Sequence, residues 1–141
     1  MARRFWLVKS EPSEYAFAQL VADRVTTWTG VRNFSARNHL AAMKKGNLVL
    51  YYHTGESKAV VAVAKVVGEA RPDPTAKVDA GWVAVELAPL KALAARVSLA
   101  TIEADAKLRD LLLVRQSRLS VMPIPKPAFD RILALGKTKL A

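Results

Sequence analysis

The stretch LVLYYHTGESKAVVAVAKVV, residues Leu48 to Val67, sets two runs rich in β-branched and aromatic residues on either side of Thr54-Gly55-Glu56-Ser57-Lys58. Each run has the length of a strand, and a five-residue loop with a glycine suits an antiparallel hairpin. Upstream, Phe5-Trp6-Leu7-Val8 is a further strand that Lys9-Ser10-Glu11-Pro12 brings into a loop. Downstream, Trp82 to Leu87 alternates Val83, Val85 and Leu87 with Ala84 and Glu86, and Leu119 to Ile124 is a last strand. Short helices fall between them. Ser13 is placed to cap one with Phe17, Leu20 and Val21 inward. Asn33 caps a second that reaches about Lys45, with Ala36, Leu40 and Met43 on one stripe and Gly46 as its stop. Ser98 caps a third over Leu99 to Ala104, Lys107 to Val114 forms another, and Pro127 starts a terminal helix with Phe129, Ile132 and Leu133 inward. Arg71-Pro72-Asp73-Pro74-Thr75 is expected to be a rigid loop, since each proline holds its predecessor out of the helical region. Strands joined by hairpins and short helices, without regular strand-helix alternation, give a small α+β protein on a mostly antiparallel sheet or barrel.

The chain has 141 residues, which suits one domain over residues 1–141. Hydrophobic residues make up 52% and charged residues 24%, enough apolar material to offset the entropy of ordering the chain. Without cysteine, disulfides, thiolate nucleophiles and thiolate metal sites are excluded, and the reducing cytoplasm is the expected compartment. The apolar start, Phe5 to Val8, is too short for a signal peptide, and Ala59 to Ala64 too short to span a bilayer, so a soluble protein is expected, and separately a monomer.

Twenty-two Lys and Arg against 12 Asp and Glu give a formal charge of +10, a field that attracts polyanions. The charge is clustered: Arg24, Arg32, Arg37, Lys44 and Lys45 share the span from Arg24 to Gly55 with no acid. Inside that span TWTGVRNFSARNHL, Thr27 to Leu40, gathers a Trp, a Phe, two Arg, two Asn and a His. A flat aromatic ligand bearing phosphate is held by stacking, by hydrogen bonds to its edges and by nearby cations, and this segment offers all three. Trp28 or Phe34 can serve as stacking wall, and either can instead be core, which for Phe34, from its place on the helix, is the favoured expectation. Gly30 lets the backbone approach closely. Asn33 and Asn38 can meet an edge, though Asn33 also suits a helix cap.

Catalytic and metal readings are weaker. Gly136-Lys137-Thr138 imitates the end of a phosphate-binding loop, but its first glycine would fall on Arg131. His39 and His53 lie on different elements without paired spacing, so no metal or other cofactor is expected. Ser10 or Glu11 near His53 lacks a third group, and a polar hydrogen-bond network is the better reading.

Five segments, in order, now form a pattern: Lys9-Ser10-Glu11-Pro12, Trp28-Thr29-Gly30-Val31-Arg32-Asn33-Phe34-Ser35-Ala36-Arg37-Asn38, Tyr51-Tyr52-His53, Arg71 to Thr75, and Arg118-Leu119-Ser120-Val121-Met122-Pro123. Together they resemble the signatures of the EVE domain family over almost the whole chain. The resemblance implies a PUA-like mixed β-barrel of five to six strands decorated by helices. It further implies a non-enzymatic module that takes a modified base, a modified cytosine in DNA first, flipped into a pocket beside the barrel. Modified or structured RNA and a free nucleotide are the alternative ligands. Carried over, the pocket comprises Lys9, Ser10, Trp28, Gly30, Val31, Arg32, Asn33, Tyr52, His53, Ser120, Val121, Met122 and Pro123. Phosphate contacts fall to Lys9, Arg32, Arg37, Asn38, Lys44 and Arg118. Two departures bear on specificity: Thr29 stands where many relatives carry Asp, and the segment Ala76 to Gly81 is short.

Overall fold

In the computed structural model, which describes residues 3–77 and 80–140, the hairpin is the middle of a six-stranded sheet. Its strands are β1 (Phe5–Ser10), β2 (Thr26–Trp28), β3 (Leu48–His53), β4 (Ala59–Pro72), β5 (Val83–Ser98) and β6 (Val121–Ile124), in the spatial order β2-β5-β4-β3-β1-β6. The β1–β3 pair is parallel and the rest are antiparallel. The helices are α1 (Pro12–Tyr15), α2 (Phe17–Asp23), α3 (Phe34–Ala42), α4 (Leu99–Ala104), α5 (Leu112–Arg115) and α6 (Lys126–Leu135). Helix α3 packs against β4, β5 and β6 and so lies across the gap between the two ends of the sheet.

Trp6, Leu7, Leu50, Tyr51, Leu87 and Met122 are wholly buried in the core. The Trp6 indole N–H donates to the buried Asn47 side chain at 2.9 Å, so the one polar atom of that ring is satisfied.

Several expected boundaries shift. Glu11, not Ser13, caps α1, accepting from the Ser13 N–H at 3.1 Å, and Val21 faces solvent. Asn33 caps α3 as expected, but the helix ends at Ala42 rather than Lys45. Strand β4 runs on through Arg71 and Pro72, so the rigid loop starts at Asp73, and β5 continues well past Leu87. The helix expected over Lys107 to Val114 is only the short α5, the residues before it being turns.

Candidate nucleic-acid interface

Trp28 ends β2, at one edge of the sheet, and Ser120 precedes β6, at the other. Both line one cleft of about 580 Å³, with Lys9 and Ser10 at the exit of β1. The sheet is therefore curled so that its two edges flank a single opening, whose volume lies in the range of small-ligand sites.

The loop from Thr29 to Asn33 forms one wall, and a buried carboxylate shapes it. Asp73 accepts from the Gly30 N–H at 2.9 Å, the Arg32 guanidinium at 3.0 Å, the Thr75 N–H at 2.7 Å and the Thr75 hydroxyl at 2.6 Å. Burial alone would raise this carboxyl. The Thr75 hydroxyl, the Gly30 and Thr75 N–H groups and Arg32 outweigh that and hold it well below the usual carboxylate range. Gly30 has φ +82°, a left-handed turn that aims its N–H at Asp73, and the space where a Cβ would project is open.

Trp28 is half-buried, with Tyr51 edge-on at 5.6 Å and Tyr15 edge-on at 6.3 Å between ring centres. Both pairs are close to perpendicular, an arrangement aromatic rings favour, and they hold the indole in place at the cleft wall. The Tyr51 hydroxyl donates to the Tyr15 carbonyl at 2.9 Å, and burial pushes its pKa up to about 12. Ser10 donates to the same carbonyl at 2.6 Å, tying the end of α1 to the strand exits. Lys9, its pKa lowered by burial, donates to the Ser117 carbonyl at 2.8 Å.

The cleft lining therefore holds Lys9, Ser10, Trp28, Gly30, Val31, Arg32, Asn33 and Ser120 from the expected set. Tyr52, His53, Val121, Met122 and Pro123 are not part of it. Val121 and Met122 are fully buried and Tyr52 is nearly so: the neighbours Val121 and Met122 point to opposite faces of β6, and both faces are covered there. His53 Nε2 accepts the Phe17 N–H at 3.1 Å and so anchors α2. Pro123 lines a separate depression with Arg3, Arg4 and Phe5.

The expected phosphate contacts also divide. Arg32 is bound to Asp73, Thr75 and its neighbouring carbonyl, which commits it to shaping the loop. Arg118 shares a polar depression with Asn33, Ser35 and Arg115 beside the cleft. Arg37 donates to the Asn38 side chain and has no acidic partner among the described residues. Lys44 lies elsewhere, with Lys45, Arg3 and Arg4, and its ammonium is 3.8 Å from Glu69. Of the short segment Ala76 to Gly81, residues 78 and 79 lie outside the described ones.

Sequence reasoning missed Glu11 and Glu14, which also line the cleft, and Asp73. The signal for the first two was their place just after the Lys9-Ser10 strand exit. For Asp73 it was a lone acid between two prolines, available to an arginine-bearing loop without acids of its own.

The EVE domain family matches residues 4–135. The chain belongs to that family. Thymocyte nuclear protein 1 of Gallus gallus is 30% identical over 95% of this chain and 69% of its own length. Among solved structures, Rpa0253 from Rhodopseudomonas palustris is 40% identical with a TM-score of 0.89, covering 95% of this chain and 93% of that one. Human THYN1 protein, solved in complex with 5-methylcytosine containing DNA, is 28% identical with a TM-score of 0.88, covering 96% of this chain and 99% of that one. The fold of this EVE domain is thus the PUA-like α+β fold, its curled sheet and helices matching over nearly the full length. No helix among the described residues is long and apolar enough to cross a membrane.

Proposed function

We propose that this EVE domain binds DNA as a monomer and recognises a modified cytosine, 5-methylcytosine first, extruded from the duplex into the cleft. The observation that carries the reading is the half-buried Trp28, held edge-on by Tyr15 and Tyr51 with a polar-lined opening beside it. A relative of the same fold and nearly full coverage, crystallised with DNA containing that base, supports the ligand class.

Cytosine presents an amino donor and two acceptors on its pairing edge. The Asn33 oxygen is used in capping α3, at 3.0 Å from the Ala36 N–H, which leaves its amide nitrogen as a donor. The Glu14 carboxylate accepts no hydrogen bond among the described residues and is the natural acceptor for the exocyclic amine. Extrusion costs a few kcal/mol and stacking returns about 1–3 kcal/mol per base, so phosphate contacts must supply much of the affinity. Arg118, Arg37 and Lys9 are the cations suited to that task.

The module acts by binding rather than by turnover. The side chains that could have served as nucleophile and base, Ser10 and His53, are engaged with the Tyr15 carbonyl and the Phe17 N–H. A chain without cysteine suits a reducing compartment, the cytoplasm in our reading.

The test is competition between otherwise identical duplexes carrying cytosine or 5-methylcytosine, and an RNA of the same sequence with the methylated base. Preference for the methylated duplex is expected. Equal binding of both duplexes overturns the base reading, and preference for the RNA moves the domain to RNA.

A further inference from the structure

Phe34 contradicts the expectation that it belongs to the core: it is 64% exposed, the most exposed of the large hydrophobic residues described. It stands at the first position of α3, directly after the cleft residues Arg32 and Asn33. Its ring lies nearly parallel to Trp82, with centres 5.1 Å apart and planes 22° from one another. Two guanidinium groups adjoin this pair. The Arg37 carbon is 5.0 Å from the Phe34 ring centre and 5.8 Å from that of Trp82, and the Arg32 carbon is 5.6 Å from Trp82. With all three separations so similar, the centres of Phe34, Trp82 and Arg37 form a nearly equilateral triangle. Arg37 therefore flanks the pair on the Trp82 side and does not cover the outward face of Phe34. Gly81, whose added Cβ would meet Arg37 Nη1 at 3.3 Å, leaves room for that guanidinium.

A flat apolar face in water, backed by a second ring and bordered by an arginine without an acidic partner, matches a nucleobase together with its phosphate. Arg32 touches both places: it lines the cleft and reaches the Trp82 ring. The ledge is therefore continuous with the cleft rim. When a base leaves a duplex, its neighbour loses a stacking partner, and apolar side chains can take that place.

We propose that the outward face of Phe34, backed by Trp82, stacks on the base adjoining the extruded one, while Arg37 holds the phosphate beside it. This rests on the cleft reading above, and it adds a second contact to the DNA. The cleft selects the modified base, and the ledge stabilises the distorted duplex without selecting.

The test is a double-mutant cycle between Phe34→Ala and removal of the adjoining base, made in turn on the 5′ and 3′ side of a central 5-methylcytosine. Phe34→Ala is expected to weaken binding of the intact duplex about five- to one-hundredfold. The cost should be the same for methylated and plain duplexes, so the preference for methylation is kept. On the duplex lacking the correct neighbour, the same substitution should cost less than about twofold, and Phe34→Trp should bind like the parent. No loss on the intact duplex, or an equal loss with and without either neighbour, overturns the proposal; circular dichroism of Phe34→Ala checks that the fold is kept. Parent protein that binds both duplexes equally refutes the cleft reading alone, since the coupling of Phe34 to the adjoining base is still measured. Parent protein that binds neither overturns both.

Discussion

The two ends of β1 both carry cations, and they are built for different purposes. At its start, Arg3 and Arg4 adjoin Lys44 and Lys45 around a hollow of about 590 Å³. At its finish, Lys9 and Ser10 enter a cleft of nearly the same volume, walled by Trp28 and framed by the loop that Asp73 shapes. The first end has charge without a free ring face: Arg4 covers the indole of Trp6, and that indole is buried. The second has a half-buried indole, hydrogen-bonding edges and carboxylates. Charge alone attracts any polyanion, whereas a ring and a set of edges tell one base from another. The difference separates affinity from recognition within one small fold.

The largest way to break that contrast is to remove the carboxylate that shapes the loop. Asp73→Ala leaves the Gly30 and Thr75 N–H groups and Arg32 without their partner and should cost about 3 kcal/mol in chemical denaturation, with the methylation preference lost in the same variant. If preference survives, the loop is not what defines the cleft. Next in size, Trp28→Ala should lose about 1–3 kcal/mol of binding to methylated DNA and distinctly less on plain DNA, whose base is extruded into the same cleft but held there less tightly, so the preference narrows. Equal losses on both duplexes would assign Trp28 to general stability.

A smaller effect sharpens the comparison of the two ends. Arg118→Ala should reduce the slope of log K against log salt by about 0.9, the value for one phosphate contact on a duplex, and Lys44→Ala should leave it unchanged. The reverse pattern would place DNA at the opposite end of β1. The smallest effect concerns pH. Burial lowers the pKa of His53, with Glu11 pulling the other way, and its Nε2 must be neutral to accept the Phe17 N–H. A proton is then bound more readily by the unfolded chain, so this contribution is present above about pH 6.5 and lost as pH falls toward the folded-state value. Its size is on the order of 0.5 kcal/mol, set by one hydrogen bond. His39, also lowered by burial and by Arg4, contributes with the same sign, so His53→Gln should flatten part of the stability loss between about pH 7 and pH 5. An unchanged profile would remove His53 from that role.

How much of this was legible in the sequence follows from the same physics. The central hairpin was plain, because its two apolar runs and glycine loop point the same way. Strand β2 was not, since Thr26–Trp28 is three residues long and merges with the turn at Gly30. Strand β5 was cut short at Leu87 because Pro89 and the alanine-rich KALAAR stretch carry little strand preference. Pairing with β4 overrides that, and Pro89 sits beside a shift in register where a missing N–H is tolerated. At the site, the loop residues and strand exits were readable because turn chemistry and charge are local. Tyr52, His53, Val121 and Met122 come from the family resemblance, and a motif along a strand does not say which way each side chain turns. Phe34 failed for the opposite reason: its helix has an inward stripe of Ala36 and Leu40, and Phe34 falls outside it.

The central claim is that a modified cytosine occupies the cleft against Trp28, and NMR of a duplex whose 5-methylcytosine carries a ¹³C-labelled methyl tests it most directly. The account predicts Overhauser contacts between that methyl and the Trp28 ring protons in the complex, together with loss of the imino signal of the partner guanine. A bound duplex that keeps that imino signal and gives no contact from the methyl to Trp28 would contradict it.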